Sequence, residues 1–484
     1  MIGKKTIMPA GGDADAGPGP LRPARIVGAL AIAATPVAGY AILRHERLGI
    51  EAVAAALIAL LALVRPAAAL AALVPVTIVE ATLSGGSTAR PIQAAALVAL
   101  SLVLRAALRA AAPAAGPAAG PAGTVPDAVP GDPRVDGEAR GGEVRDGEVT
   151  RPLRPAHLWI GLLGGLLVIS ARFPAIRLQD GSAAADLGAL LVGLALLAAV
   201  TAVAPRPSVI IRTVAGAGAL AAGYALVFGV HDGGRLAAFG LNPNYLGGML
   251  ALPCVAAAGL AWLRRNPAWL APAAACLTAI ITTQSRGAFL SAAAGIAVVV
   301  VQGRGRRARW RFALAAGAAG VAIALAAPAG GGLGLVEQVA AGNREHSELA
   351  YDTTVRGDVA EFAMKVAARH PVRGIGYAAF PSYAATAPDF GIYMATHDDY
   401  LRLAAEAGGI ALGAFLVLLW LGVRGRRHGE LAVARAVTVA YAVGLVFANP
   451  LGNLLVSLPF WLSLGCLLAV RPDGERRETR RQER

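Results

Sequence analysis

The residues able to do chemistry fall in three short polar stretches, each at the edge of an apolar run: GLNPNYLGG at 240–248, TTQSRGAFL at 282–290, and MATHDDYLRLAAEAGG at 394–409. Arg286 lies between two apolar segments with no charge beside it. An arginine so placed either faces a partner or a wet cavity, or snorkels to lipid phosphate. Gly287 suits a tight turn as well as a close approach to an anion. Asn242 or Asn244 can cap a helix that Pro243 opens. The same residues could touch substrate, and a helix N-terminus at a surface favours an anion. His397 has a side chain that can take a proton near neutral pH, or it can serve as a cap or hydrogen-bond partner. Asp398 and Asp399 would point about 100° apart on a helix, which suits a shared metal poorly. No third ligand stands out, so no metal site and no cofactor is expected. Glu406 is spaced to pair with Arg402 one turn earlier.

The elements carrying these residues follow from composition. The 484-residue chain is 56% hydrophobic, has mean hydropathy +0.59 and is only 15% charged, against roughly 25% for soluble domains. Apolar stretches of about 20 residues recur along it. Backbone amides in hydrocarbon need partners within their own segment, and the alternation of a barrel strand is absent. The fold class expected is an all-α polytopic membrane protein with about 14 (12–14) transmembrane helices. The spans are expected near 26–43, 48–64, 67–84, 92–111, 157–171, 185–204, 209–230, 244–263, 268–284, 287–302, 311–328, 404–423, 431–448 and 451–470. Cys254, Cys276 and Cys466 all sit in apolar runs and fit neither a zinc site nor a disulfide framework. Residues 1–25 are polar, and no cleaved signal peptide is expected from them.

Net charge is +14, yet no basic patch is interleaved with aromatics, so nucleic acid is not an expected partner. The excess reads as the Lys/Arg bias of cytoplasmic loops. Placing both termini in the cytoplasm puts RGRRARWR, RGRRHGE and the basic tail 471–484 inside; only RHER at 44–47 argues otherwise. Residues 112–156, rich in Pro, Gly and mixed charge, read as a disordered cytoplasmic linker after the first four spans (26–111). A transmembrane core at 157–328 follows, and the last three spans occupy 404–470. With this orientation the three polar stretches share the outer face.

The outer loop, 329–403, exceeds the length at which loops are usually structureless connections. Its second half contains Val355, Val359, Phe362 and Val366 at i, i+4, i+7 and i+11. That stripe predicts a short helix capping the bundle or lying on the membrane, with Arg356 in its first turn. The turn PVRGIG at 371–376 lacks the preceding strand of a dinucleotide site.

Taken in order, these pieces resemble the O-antigen ligase and polymerase family of bacterial envelope glycosyltransferases. They are NPN before a span, SRG between two spans, a large outer loop with an arginine opening a helix, a Pro-x-x-Gly-x-Gly turn, and a His-x-x-Tyr-Leu helix start followed by AEAGG. The resemblance covers about 200–460 and implies a GT-C-like, metal-independent transferase. Its donor would be a glycan on undecaprenyl pyrophosphate, and its acceptor a hydroxyl on a glycan, lipid or protein, in contact with membrane lipids. By analogy, Arg286 and Arg356 hold the pyrophosphate and His397 is the base. Asn242, Asn244, Arg373 and Tyr400 would contact substrate. Arginine matches phosphate oxygens in geometry and charge. Two departures stand out: Ala360 and Phe362 replace the family's usual tryptophan one turn after the loop arginine, and Asp398 replaces the asparagine that commonly follows the histidine. The competing expectation is a transporter or flippase of envelope glycolipids, which would show mid-span charges and repeated halves.

Overall fold

The computed structural model describes residues 57–83, 89–111, 155–176, 183–232, 234–302, 346–425 and 427–469. A helix over 57–64 precedes α1 (Pro66–Leu83), α2 (Ala89–Ala111), α3 (Pro155–Arg172), α4 (Ala183–Val203) and α5 (Pro207–Phe228). After a two-stranded hairpin, β1 (Val230–Asp232) and β2 (Arg235–Ala237), come α6 (Pro243–Arg264), α7 (Leu270–Thr283), α8 (Arg286–Gln302) and α9 (His346–Arg369). The chain continues through α10 (Phe380–Thr386), α11 (Asp399–Val423), α12 (Glu430–Gly444) and α13 (Leu454–Leu468). Helix is the dominant structure, as the need to pair every backbone amide in hydrocarbon requires. Among the described residues, six helices (α1, α3, α4, α5, α6 and α11) are long and apolar enough to cross a membrane.

Local chemistry explains many of the boundaries. Proline opens α1, α3, α5 and α6, where its fixed φ suits a first turn and its missing N–H costs nothing. Asn242, Asp398 and Asn453 cap α6, α11 and α13 with side-chain oxygens. The helices then pack by small residues set against large ones. A side chain at Gly193 would strike Trp461, and one at Gly465 would strike Val200, so α4 and α13 lie close together. Gly218 accepts the ring of Pro253 in the same way between α5 and α6. Helix α13 is buried along its whole length, and α6, mostly buried, touches α5, α7, α8, α12 and α13.

Several expectations are revised here. The hairpin adds a small β element to a fold expected to be all-α: β1 and β2 pair antiparallel, with Asp232 opposite Arg235 and glycines in the sequence between them. The helix expected to open near Arg356 begins ten residues earlier, at His346, and Arg356 lies mid-helix. The span expected at 404–423 begins at Asp399, because Asp398 caps it there. The span expected at 431–448 ends at Gly444, and a non-helical stretch with a 3-10 turn at Pro450–Gly452 leads into α13. Helix α3 starts at Pro155, inside the expected linker. The expected spans 26–43 and 311–328, the tails and the linker as far as residue 154 lie outside the described residues.

The apolar stripe on α9 forms as its spacing predicts. Val355, Val359, Phe362 and Val366 are buried in a second core with Ile375, Ala379, Phe380 and Ala405. Phe362 stacks on Phe390 at 4.5 Å between centroids and 9° between planes. An aromatic ring therefore does follow Arg356 on α9, although at Phe362 and not a single turn on.

Candidate active site

The three polar stretches meet at one end of the bundle, joined by contacts that sequence spacing does not reveal. Arg235 of β2 ties the first two together. Its Nη2 donates to Asn244 Oδ1 at 2.7 Å, and its Nε donates to the Thr283 carbonyl at 3.0 Å, where α7 stops just before the SRG turn. Asn242 caps α6 by accepting from Tyr245 N at 3.0 Å. Gln284 takes a left-handed conformation (φ 52°) to end α7, and Ser285 caps α8. Arg286 then opens α8, exposed and making no hydrogen bond or ion pair among the described residues.

The connection from α12 to α13, residues 445–453, is the shared border. Gly287 packs against Phe447. Asp399 N donates to the Leu445 carbonyl at 2.9 Å, and the Asp399 carboxylate accepts from Leu451 N at 2.9 Å. The Tyr245 hydroxyl donates to the Asn449 carbonyl at 3.1 Å, and the Tyr400 hydroxyl to the Ala442 carbonyl at 2.8 Å. The SRG turn and the helix start after His397 therefore flank one stretch of backbone.

The PVRGIG turn docks on a break in α11. Gly408 leaves the helical region altogether (φ 87°, ψ 166°), which frees the carbonyls of Ala405 and Glu406. Ile375 N and Gly376 N donate to them at 2.9 and 3.0 Å, and Gly409 N returns a bond to the Pro371 carbonyl at 2.7 Å. Gly374 (φ 67°) comes so close that a Cβ there would stand 2.6 Å from Ala407 N. The glycines of the turn and of AEAGG are thus two halves of one contact.

Next to this contact lies a charge cluster in which Arg402, Asp399 and Glu406 are buried and Asp186 is partly exposed. Arg402 Nε pairs with Glu406 at 3.0 Å, Nη2 with Asp186 of α4 at 3.2 Å, and Nη1 approaches Asp399 at 3.9 Å. Its guanidinium also covers the Tyr377 ring at 4.8 Å. The Arg402–Glu406 pairing matches the i,i+4 expectation. Three carboxylates around one guanidinium would be costly without further donors. Ala378 N and Phe380 N supply them to Glu406 at 2.8 and 3.1 Å, and Leu451 N supplies one to Asp399.

His397 is half-buried and left-handed (φ 54°), an uncommon conformation for any residue but glycine. Asp398, in the place of an asparagine, accepts from Tyr400 N at 2.8 Å and Leu401 N at 2.9 Å, so it holds the cap that asparagine would hold. Burial pushes its carboxyl above the ordinary range, against the lowering effect of those two N–H donors.

Of the sequence-predicted residues, Arg286 and Arg373 are exposed and make no hydrogen bond or ion pair among the described residues, while Arg356 is half-buried on α9 and has a partner. Asn242 and Tyr400 are engaged in structural hydrogen bonds, and Asn244 is held by Arg235. Among the described residues no group of three or more His, Cys, Asp or Glu side chains could hold a metal ion. Sequence reasoning missed Arg235, Asp186 and the 445–453 connection. The one available signal was a further Asn-Pro pair at 449–450, echoing the pair at 242–243.

A multi-span helical bundle that brings three polar stretches and the Arg402 ion-pair cluster together at one end is a polytopic membrane protein with a candidate active site at that end. The family model described as O-antigen ligase matches residues 271–416, from α7 through the SRG turn and the loop into α11. No curated protein matches the chain.

Proposed function

We propose that this chain is a glycosyltransferase of the O-antigen ligase or polymerase type. It moves a glycan from undecaprenyl pyrophosphate to an acceptor hydroxyl at the outer face of the cytoplasmic membrane. The observation that carries the reading is that, within the residues matched to O-antigen ligase, the SRG turn and the helix start after His397 border the same stretch, 445–447. The Lys/Arg bias of the loops puts that end outside, with both termini in the cytoplasm.

The reaction follows from the residue types. The acceptor hydroxyl gives its proton to the His397 imidazole, and the freed oxygen electron pair forms a bond to the anomeric carbon. The bond from that carbon to the pyrophosphate oxygen breaks, and its electron pair leaves on the lipid pyrophosphate. Arg286 and Arg356 stabilise the charge collecting there, with Arg373 as a further cation at the same rim. The acceptor's bulk chemistry — glycan, lipid or protein — is set outside these residues.

The test is transfer in an envelope-glycan assay by membranes holding equal amounts of each variant. Arg286→Ala, Arg356→Ala and His397→Ala should each abolish transfer. Full activity in all three would refute the site.

A further inference from the structure

We propose that Thr396 and Asn449 are positioning residues that hold His397 in its left-handed conformation and so set the place of its imidazole. The inference rests on the reading of His397 as the base. A histidine at φ 54° relaxes to an ordinary conformation unless its neighbours over-determine it. The neighbours here do so from both sides. Thr396, buried at 3% exposure, donates its hydroxyl to the Asp398 carbonyl at 2.9 Å, bridging across His397. Asn449, also buried, places its side-chain Oδ1 3.3 Å from the same hydroxyl, as a second acceptor.

A hydroxyl carries one proton, so it cannot be given fully to both oxygens. The nearer Asp398 carbonyl takes the larger share, so the hydroxyl bridges across His397 while Asn449 Oδ1 holds it from the other side. On the C-terminal side, Asp398 caps α11 and Asp399 is bonded through both its N–H and its carboxylate to the 445–453 connection. The Asn449 carbonyl accepts from Tyr245, so the clamp is anchored to α6 next to the NPN stretch. The Asn449-Pro450 pair thus presents an amide oxygen to the residue that precedes the base.

Thr396→Val keeps the shape and removes the hydroxyl; Thr396→Ser keeps the hydroxyl. Thr396→Val should lower kcat about tenfold or more with the donor KM little changed, and Thr396→Ser should stay within about twofold of wild type. Asn449→Ala, which removes the amide without adding bulk, should show the same split. Wild-type turnover by membrane-accumulated Thr396→Val and Asn449→Ala overturns the inference, as does a Thr396→Ser protein no better than Thr396→Val. If His397→Ala itself keeps full transfer, the assignment of the base falls and this inference falls with it. If His397→Ala is inactive while the two positioning variants are fully active, only this inference falls.

Discussion

Gly408→Ala pits a side chain against a backbone conformation and a backbone contact at once. At φ 87° and ψ 166° Gly408 occupies a region that is essentially glycine's alone, so alanine there carries about 1–3 kcal/mol of strain. Its Cβ would also stand 2.8 Å from Arg373 N and closer still to the Val372 carbonyl, inside the 3.0 Å that real Cβ atoms respect. Both neighbours are backbone, so relief requires the PVRGIG turn to lift. Lifting breaks the bonds from Ile375 N, Gly376 N and Gly409 N, each worth about 0.5–1.5 kcal/mol net. The combined loss is about 3–7 kcal/mol, a large part of the roughly 5–15 kcal/mol that holds a typical domain folded. Gly357→Ala on α9 is the counterpart: nothing lies within 4 Å of its Cβ, and alanine should stabilise the helix by about 0.5–1 kcal/mol. Thermal unfolding of the purified protein in detergent, with limited proteolysis at 371–376, reads both. A Gly408→Ala protein that melts with wild type, its turn equally protected, would refute the reasoning.

Arg402→Ala leaves the carboxylates of Glu406, Asp186 and Asp399 without their shared cation and should cost about 3–5 kcal/mol in thermal unfolding. Arg402→Lys should recover only part of that loss, since one ammonium cannot reproduce the fork that reaches α4 and α11 together; full recovery would contradict the network. Cysteines introduced singly at 286 and 397 should both react with an impermeant maleimide from the outer side, over a low background because Cys254, Cys276 and Cys466 are buried. Labelling from opposite sides would end the proposed site.

Much of this molecule was legible in sequence where the controlling interaction is local. Apolar length sets helices, proline and asparagine set their starts, and the 355–366 stripe buries as its period says, because each depends on neighbours within a few turns. The pairing of Glu406 with Arg402 is of the same kind. The start of α9 was misplaced because no apolar period runs through its first turns, from His346 to Thr354. Asp398 was legible as a departure from a pattern, but its work as a cap became plain only with the helix start at Asp399.

What the sequence by itself determined is therefore a membrane-spanning helical chain with three polar stretches at helix ends, and the residue types able to handle a phosphate and a proton. Tertiary structure alone decided that those ends meet. Arg402 finds Asp186, 216 residues away, and Arg235 joins Asn244 to Thr283; Gly408 opens α11 to a turn from another part of the chain. The physical reason is that a hydrogen bond or ion pair between distant segments leaves no periodicity in either one. It exists only once packing has removed the water that would otherwise satisfy both groups.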